Sequence, residues 1–152
     1  MTGWILSEPL ADDLPELLAL LEDSGLPCSD LTVTHLPEFL ICRDDGRLIA
    51  AAGLESRGDA VLLRSLAVAE KYRRHGLAGQ LLDALEGRVL ARKQRQIFLL
   101  TTTAPGFFAD RGFLPFPRQF VPPEIAETTE FRSLCPASAI CMHKTLGDEA
   151  CR

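Results

Sequence analysis

Lys71, Arg73, Arg74 and His75 stand directly before Gly76, and Gly79 follows shortly after. From Leu77 onward, Leu77, Leu81, Leu82, Leu85 and Val89 recur at helical spacing, with Gln80, Asp83, Glu86 and Arg88 between them. A helix that starts here leaves the N–H groups of its first turn without intrahelical partners. Its dipole also points its positive end at the basic residues. Together these features suit a phosphate group. Gly76, with no Cβ, lets such a group come close to the backbone. The other reading of the same residues is an ordinary loop whose cations are solvated.

Three more side chains have the types that chemistry needs. Arg64 interrupts the apolar run Val61 to Val68, and a guanidinium there is costly unless paired. It either grips the carboxylate of an amino-acid-like ligand or pairs internally with Glu55 or Asp59. Glu55 stands at the end of the run Leu48 to Leu54, and burial raises a carboxyl pKa toward the range that a general base needs. Its alternative is a solvated hairpin residue. His35 has the ring chemistry for proton transfer, against the reading of a surface or structurally bonded histidine.

The elements that must position these residues come from pattern. Trp4 to Leu6 opens a sheet, and Asp12 or Asp13 caps a helix carrying Leu14, Leu17, Leu18 and Leu21, which Gly25 and Pro27 stop. Residues 28–37 form a loop or short helix. Phe39 to Arg43 and Leu48 to Leu54 flank Asp44-Asp45-Gly46, a hairpin signature. Val61 to Val68 is a strand covered on both faces. After the helix, Gln96 to Thr101 is a strand that pairs with it in parallel. A short helix over Ala104 to Arg111 ends at Gly112. Phe113 to Phe116 is an edge strand because of Pro115 and Pro117. Pro122 to Leu134 is helical, and Ser138 to Leu146 is the last strand. The fold class is mixed α/β, with one domain over residues 1–146 and a tail over 147–152.

A chain of 152 residues is one ordinary domain, large enough for a core without disulfides. Its net charge of −5 is spread over interspersed acids and bases, which argues against nucleic acid as a partner. No apolar run approaches the roughly 20 residues of a membrane span, and the start lacks a basic leader, so the expectation is a cytoplasmic protein. Cys28, Cys42, Cys135, Cys141 and Cys151 are odd in number and lack CxxC spacing, so neither disulfides nor a metal site is expected. Most read as small buried hydrophobes.

The segment Arg73-x-x-Gly76-x-Ala78, after SLAV and before an amphipathic helix, resembles the acyl-CoA pyrophosphate loop of the GNAT superfamily of N-acetyltransferases. Phe107 to Phe113 resembles that superfamily's later F-Y-x-x-x-G-F element. LLRSLAV, FLLTTTA and EF-x-x-LCP-x-SA are similar to the small acetyltransferases of arsenic-resistance operons, themselves similar to the acetyltransferase domain of N-acetylglutamate synthases.

The resemblance implies a GNAT fold, a mostly antiparallel mixed sheet with helices on both faces, and acetyl-CoA as cosubstrate. It implies that Leu66, Ala67 and Val68 hold the pantetheine arm and that Arg73, Arg74, His75, Gly76, Leu77, Ala78 and Gly79 hold the pyrophosphate. Thr102 and Phe108 line the opening where the thioester sits. Phe108 stands where many relatives have a tyrosine that protonates the departing sulfur, and Leu62 where many have a glutamate base. The implied acceptor is a small-molecule amine, such as an amino acid or an amino-acid-like arsenical. The other readings are acetylation of a protein N-terminus or lysine, and a non-catalytic CoA- or metalloid-sensing module. Homodimer pairing is compatible with such a fold.

Overall fold

The structure, a computed structural model, describes residues 4–147. Seven strands form one sheet in the order β1-β2-β3-β4-β5-β7-β6. They are β1 (Leu6–Ser7), β2 (Phe39–Asp44), β3 (Arg47–Arg57), β4 (Ala60–Val68), β5 (Gln96–Thr101), β6 (Leu114–Pro115) and β7 (Ile140–Thr145). The helices are α1 (Leu14–Asp23), α2 (Leu77–Ala91), α3 (Pro105–Asp110) and α4 (Pro123–Ala126). The pairs β1–β2, β2–β3, β5–β7 and β6–β7 are antiparallel, and β4 runs parallel to β5. This is the mixed α/β class that the sequence pattern implied and the mostly antiparallel sheet that the resemblance implied.

The described residues fall into two compact units. The first comprises the described residues up to Glu55 together with Arg64–Gly87. Its core packs Leu17, Leu20 and Leu21 of α1 with Phe39, Ile41, Leu48, Ala51 and Ala67. Helix α1 buries these leucines because they recur at i, i+3 and i+4. Asp13 does not cap α1 through its side chain. Instead its Oδ2 accepts the Leu10 N–H at 2.7 Å, closing a 3-10 turn at Ala11–Asp13 ahead of the helix. Gly25, at φ 73°, then turns the chain out of α1. The hairpin between β2 and β3 turns at Asp45 and Gly46, both at positive φ, the conformation a tight two-residue connection requires. Phe39 faces Gly53 across that hairpin, and its fully buried ring fills the space a side chain would need.

The second unit comprises Ser56–Leu63 and the described residues from Arg88 onward. Leu62 and Phe98 pack with Val121, Ile125, Phe131 and Cys141. Phe108 stacks edge-on against both Phe107 and Phe113, and Phe113 is wholly buried.

Several expected elements shift. The first strand is Leu6–Ser7 rather than Trp4 to Leu6, because Trp4 turns to α2 and Tyr72: its N–H donates to Gln80 Oε1 at 3.2 Å and its ring meets Tyr72 edge-on. The helical stretch expected over Pro122 to Leu134 divides into α4 and a π-helical turn at Glu130–Leu134. Thr128 stands between them, its buried hydroxyl donating to the Ile125 carbonyl. The Phe113 to Phe116 strand is reduced to Leu114–Pro115 by its prolines. The expected tail lies outside the described residues except for Gly147. No helix among the described residues is long and apolar enough to cross a membrane.

Candidate active site

Strand β4 carries the unusual backbone of the first unit. Ser65 is buried yet sits at φ 62°, a left-handed conformation that costs a non-glycine residue on the order of 1–3 kcal/mol. In a regular strand, neighbours point to opposite faces. Here Arg64 Nε donates to Ser65 Oγ at 3.0 Å, so the irregularity brings two successive side chains together.

Arg64 is the hub of a charged cluster. Its side chain is completely buried, and its nitrogens are directed at groups of the same unit. NH1 and NH2 grip Asp30 bidentately, at 2.7 Å to Oδ2 and 2.9 Å to Oδ1. NH1 also donates to Glu55 Oε2 at 3.0 Å, and NH2 lies 3.5 Å from the Pro27 carbonyl. Of the two readings drawn from sequence, the geometry is that of an internal pair. Asp59, the other partner considered, sits exposed in the turn before β4, where its carbonyl accepts the N–H groups of Arg95 and Gln96.

Asp30 is the residue that sequence reasoning missed. It lies in the irregular segment between α1 and β2, where no periodicity announces which way a side chain points. Burial by itself pushes the Asp30 carboxyl up, but the Arg64 hydrogen bonds and the guanidinium charge outweigh it. The net result is a carboxyl below its ordinary value of 3.8.

Glu55 is not a solvated hairpin residue. Its side chain is only 10% exposed and is held by Arg64. His35 completes the cluster, with Nε2 3.9 Å from Glu55 Oε2. On its other side, the Thr32 backbone N–H donates to His35 Nδ1 at 3.1 Å.

Asp30, His35 and Glu55 each present a ligand atom within 4.8 Å of the others, the spacing of a cation site. The donor set does not fit a metal ion. Arg64 already supplies positive charge to both carboxylates, and a histidine accepting at Nδ1 presents a hydrogen at Nε2, not a lone pair.

The basic glycine loop before α2 belongs to the same unit. After a 3-10 turn at Glu70–Tyr72, Arg74 and Gly76 both take left-handed backbone, at φ 70° and 81°, and α2 begins at Leu77. A Cβ at Gly76 would meet nothing within 4 Å, so the loop is open at that point. The Gln80 N–H bonds the Gly76 carbonyl at 3.0 Å, which makes Leu77, Ala78 and Gly79 the first-turn amides with no carbonyl four residues back inside the helix. Left-handed residues next to such amides form an anion-binding concavity. Arg74 and His75 are exposed beside it.

Arg73 has a second task. Its Nε donates to the Val68 carbonyl at 2.8 Å and ties the loop to the end of β4. The chain's one tyrosine is also engaged, since Tyr72 donates to Asp44 Oδ2 at 2.6 Å, and that bond holds the phenol above its ordinary value.

Beyond Leu62 and Phe98, the last register partners of the parallel pair, β4 continues through half-buried Leu66 and buried Ala67 and Val68. Thr102 and Phe108 belong to the second unit. Thr102 is exposed in the bend after β5, and Phe108 is buried on α3. Cys28, Cys42 and Cys141 are buried and free. Burial raises all three thiols, that of Cys141 to about 11. Cys151 lies outside the described residues.

The acetyltransferase (GNAT) domain model matches residues 36–115, more than half of the chain. The protein therefore belongs to the GNAT acetyltransferase family. Among individual proteins, the chain is 35% identical over 107 residues to the amino-acid acetyltransferase of Azotobacter vinelandii, covering 67% of this chain and 25% of that protein. It is 34% identical over 108 residues to the enzyme of the same description from Pseudomonas fluorescens, with the same coverage. The chain thus spans about a quarter of the length of these relatives.

In fold it is similar to N-acetylglutamate synthase from Neisseria gonorrhoeae, a structure containing coenzyme A and N-acetyl-glutamate. The TM-score is 0.83 at 21% identity, over 97% of this chain and 36% of that one. It is also similar to a Mycobacterium tuberculosis protein in complex with CoA and NLQ, with TM-score 0.79 at 18% identity, over 94% of this chain and 99% of that one.

Proposed function

We propose that the protein is an acetyl-CoA-dependent N-acetyltransferase acting on the amine of a small amino acid or amino-acid-like molecule, arsenical analogues included. The observation that carries this reading is the turn with left-handed Arg74 and Gly76 set against the first-turn amides of α2. Such a turn is an anion cradle of the kind that takes a phosphate group. The 35% identity to amino-acid acetyltransferases supports the acceptor class.

When bound, acetyl-CoA supplies the thioester whose C–S bond breaks as the new C–N bond forms. The amides of Leu77, Ala78 and Gly79, with Arg74 and His75, hold the pyrophosphate, and the end of β4 at Leu66 to Val68 aligns the arm. Glu55 takes a proton from the acceptor ammonium onto its carboxylate, leaving a neutral amine with a lone pair to attack. Arg64, gripped by Asp30, fixes the Glu55 oxygen that it contacts and so acts as a positioning residue. Phe108 has no proton to give, so the proton that the leaving sulfur would need is the one the attacking nitrogen releases, passed on through water.

A thiol-release assay with acetyl-CoA and a panel of amino acids, arsenic- and phosphorus-containing analogues, polyamines and aminoglycosides tests the reading. Turnover on amino-acid-like acceptors is expected. Binding of acetyl-CoA without turnover on any of them would move the assignment to a protein substrate or a sensor.

A further inference from the structure

Thr32-Val33-Thr34-His35 has the spacing of a capping box, with histidine in the third position after the cap, where glutamate or glutamine usually stands. Thr32 opens the 3-10 helix Val33–Glu38. Its Oγ1 accepts the Thr34 N–H, and its own backbone N–H donates to His35 Nδ1 at 3.1 Å. A backbone N–H only donates, so Nδ1 is the accepting nitrogen. In the neutral ring the hydrogen is therefore on Nε2.

That nitrogen is the one facing Glu55 Oε2, at 3.9 Å, with the His35 side chain about one quarter exposed at 26% and that of Glu55 at 10%. The separation exceeds a hydrogen bond by under about 1 Å. A capping glutamate would serve the helix start equally well but would bring no such donor to the carboxylate.

We infer that His35 is a positioning residue for Glu55: the capping box fixes the imidazole in its Nε2–H form beside the carboxylate that Arg64 NH1 holds, and the remaining gap closes to a hydrogen bond when Glu55 takes its place to receive the acceptor's proton. The inference rests on the acetyltransferase reading for its consequence in turnover, and on the chain's own geometry for the ring. Arg64 NH1 reaches the same Oε2 at 3.0 Å, and Asp30 holds Arg64 from the other side. Oε2 of Glu55 thus faces nitrogens from two different elements, β4 and the 3-10 helix.

The test compares His35→Glu, His35→Gln and His35→Ala in the full chain. Glutamate and glutamine both restore the cap, so these two variants are expected to keep the melting temperature while His35→Ala loses roughly 2–4 °C. His35→Glu and His35→Ala, which bring no donor, are expected to lose about tenfold in kcat with unchanged acetyl-CoA affinity, and His35→Gln, whose amide nitrogen donates, to lose less. Wild-type kcat in His35→Glu or His35→Ala would reduce the residue to a cap and overturn the inference, as would a loss confined to acetyl-CoA affinity.

A second measurement needs no substrate. The 15N ring spectrum of the wild-type protein, which has three histidines, is expected to show His35 protonated at Nε2, and Glu55→Gln to shift that Nε2–H signal. A ring protonated at Nδ1, or a signal indifferent to Glu55→Gln, overturns the inference even if no acceptor amine is ever found. Absence of turnover with the ring as expected counts against the acetyltransferase reading alone.

Discussion

The first unit buries an arginine between two carboxylates, whereas the second half-buries an imidazole between two phenyl rings. Arg64 is neutralised by Asp30 and Glu55. His143 on β7 lies against Phe98 and Phe116, with ring centroids 4.6 and 5.0 Å away, and its Nε2 contacts Gln96 Oε1. The consequences differ. A buried charge is tolerated only while its counter-charges stay, so removing one member strands the others. A histidine in an aromatic setting avoids the problem by staying neutral, and burial holds His143 below its ordinary value of 6.5. The first arrangement sets two carboxylates against one guanidinium. The second gives shape and little chemistry.

The largest effect that would break this contrast is on turnover. Glu55→Gln is expected to lower kcat about 100- to 10,000-fold while acetyl-CoA affinity stays near wild type, read by steady-state kinetics and calorimetry. A variant as active as wild type would move the base elsewhere.

Next is stability of the charged cluster. Arg64→Met, which leaves Asp30 and Glu55 buried without the guanidinium, is expected to destabilise the protein by about 3–5 kcal/mol in urea unfolding. The double variant Arg64→Met with Asp30→Leu should recover part of that loss, because it removes a stranded charge.

Glycines distinguish the units on a smaller scale. A Cβ at Gly53 would lie 2.4 Å from the buried Phe39 ring, so Gly53→Ala is expected to cost about 1–3 kcal/mol by overpacking. Gly106 on α3 meets nothing within 4 Å, and Gly106→Ala is expected to stabilise by about 0.5–1 kcal/mol through helix propensity. Thermal melts of the two variants should move in opposite directions.

Acid gives the smallest effect and separates the units by pH. Both His143 and Asp30 have folded values depressed below their ordinary ones, so each contributes stability that is complete above the ordinary value and lost as pH falls through the folded one. His143 is expected to weaken the second unit as pH drops below 6.5, and Asp30 the first only below 3.8. Trp4 fluorescence reports the first unit and amide exchange in β7 the second. A single shared acid transition would remove the distinction.

Part of the molecule is legible from residue order. The Val61 to Val68 run, the Asp44-Asp45-Gly46 turn and the periodic leucines after Gly76 point to β4, the β2–β3 hairpin and α2 nearly to the residue, because each is a local pattern with one dominant period or turn chemistry. Arg64 announces itself as a buried cation in need of partners. Glu55 is within reach of that reasoning as one of them, but Asp30 is not, since a bidentate contact 34 residues away in sequence leaves no trace in spacing. The first strand falls later than its pattern suggests for a related reason: Trp4 is held by Gln80, 76 residues on, and no local preference encodes that.

Sequence alone determined the hairpin, β4, α2, the basic glycine loop before α2 and the family resemblance, since these depend on periodicity and on glycines and cations set side by side. Only the tertiary structure decided which carboxylates Arg64 neutralises, that Arg73 also ties its loop to Val68, and which nitrogen of His35 faces Glu55. Those are matters of direction in space, and direction is fixed when distant segments pack together and every buried charge must find its partner.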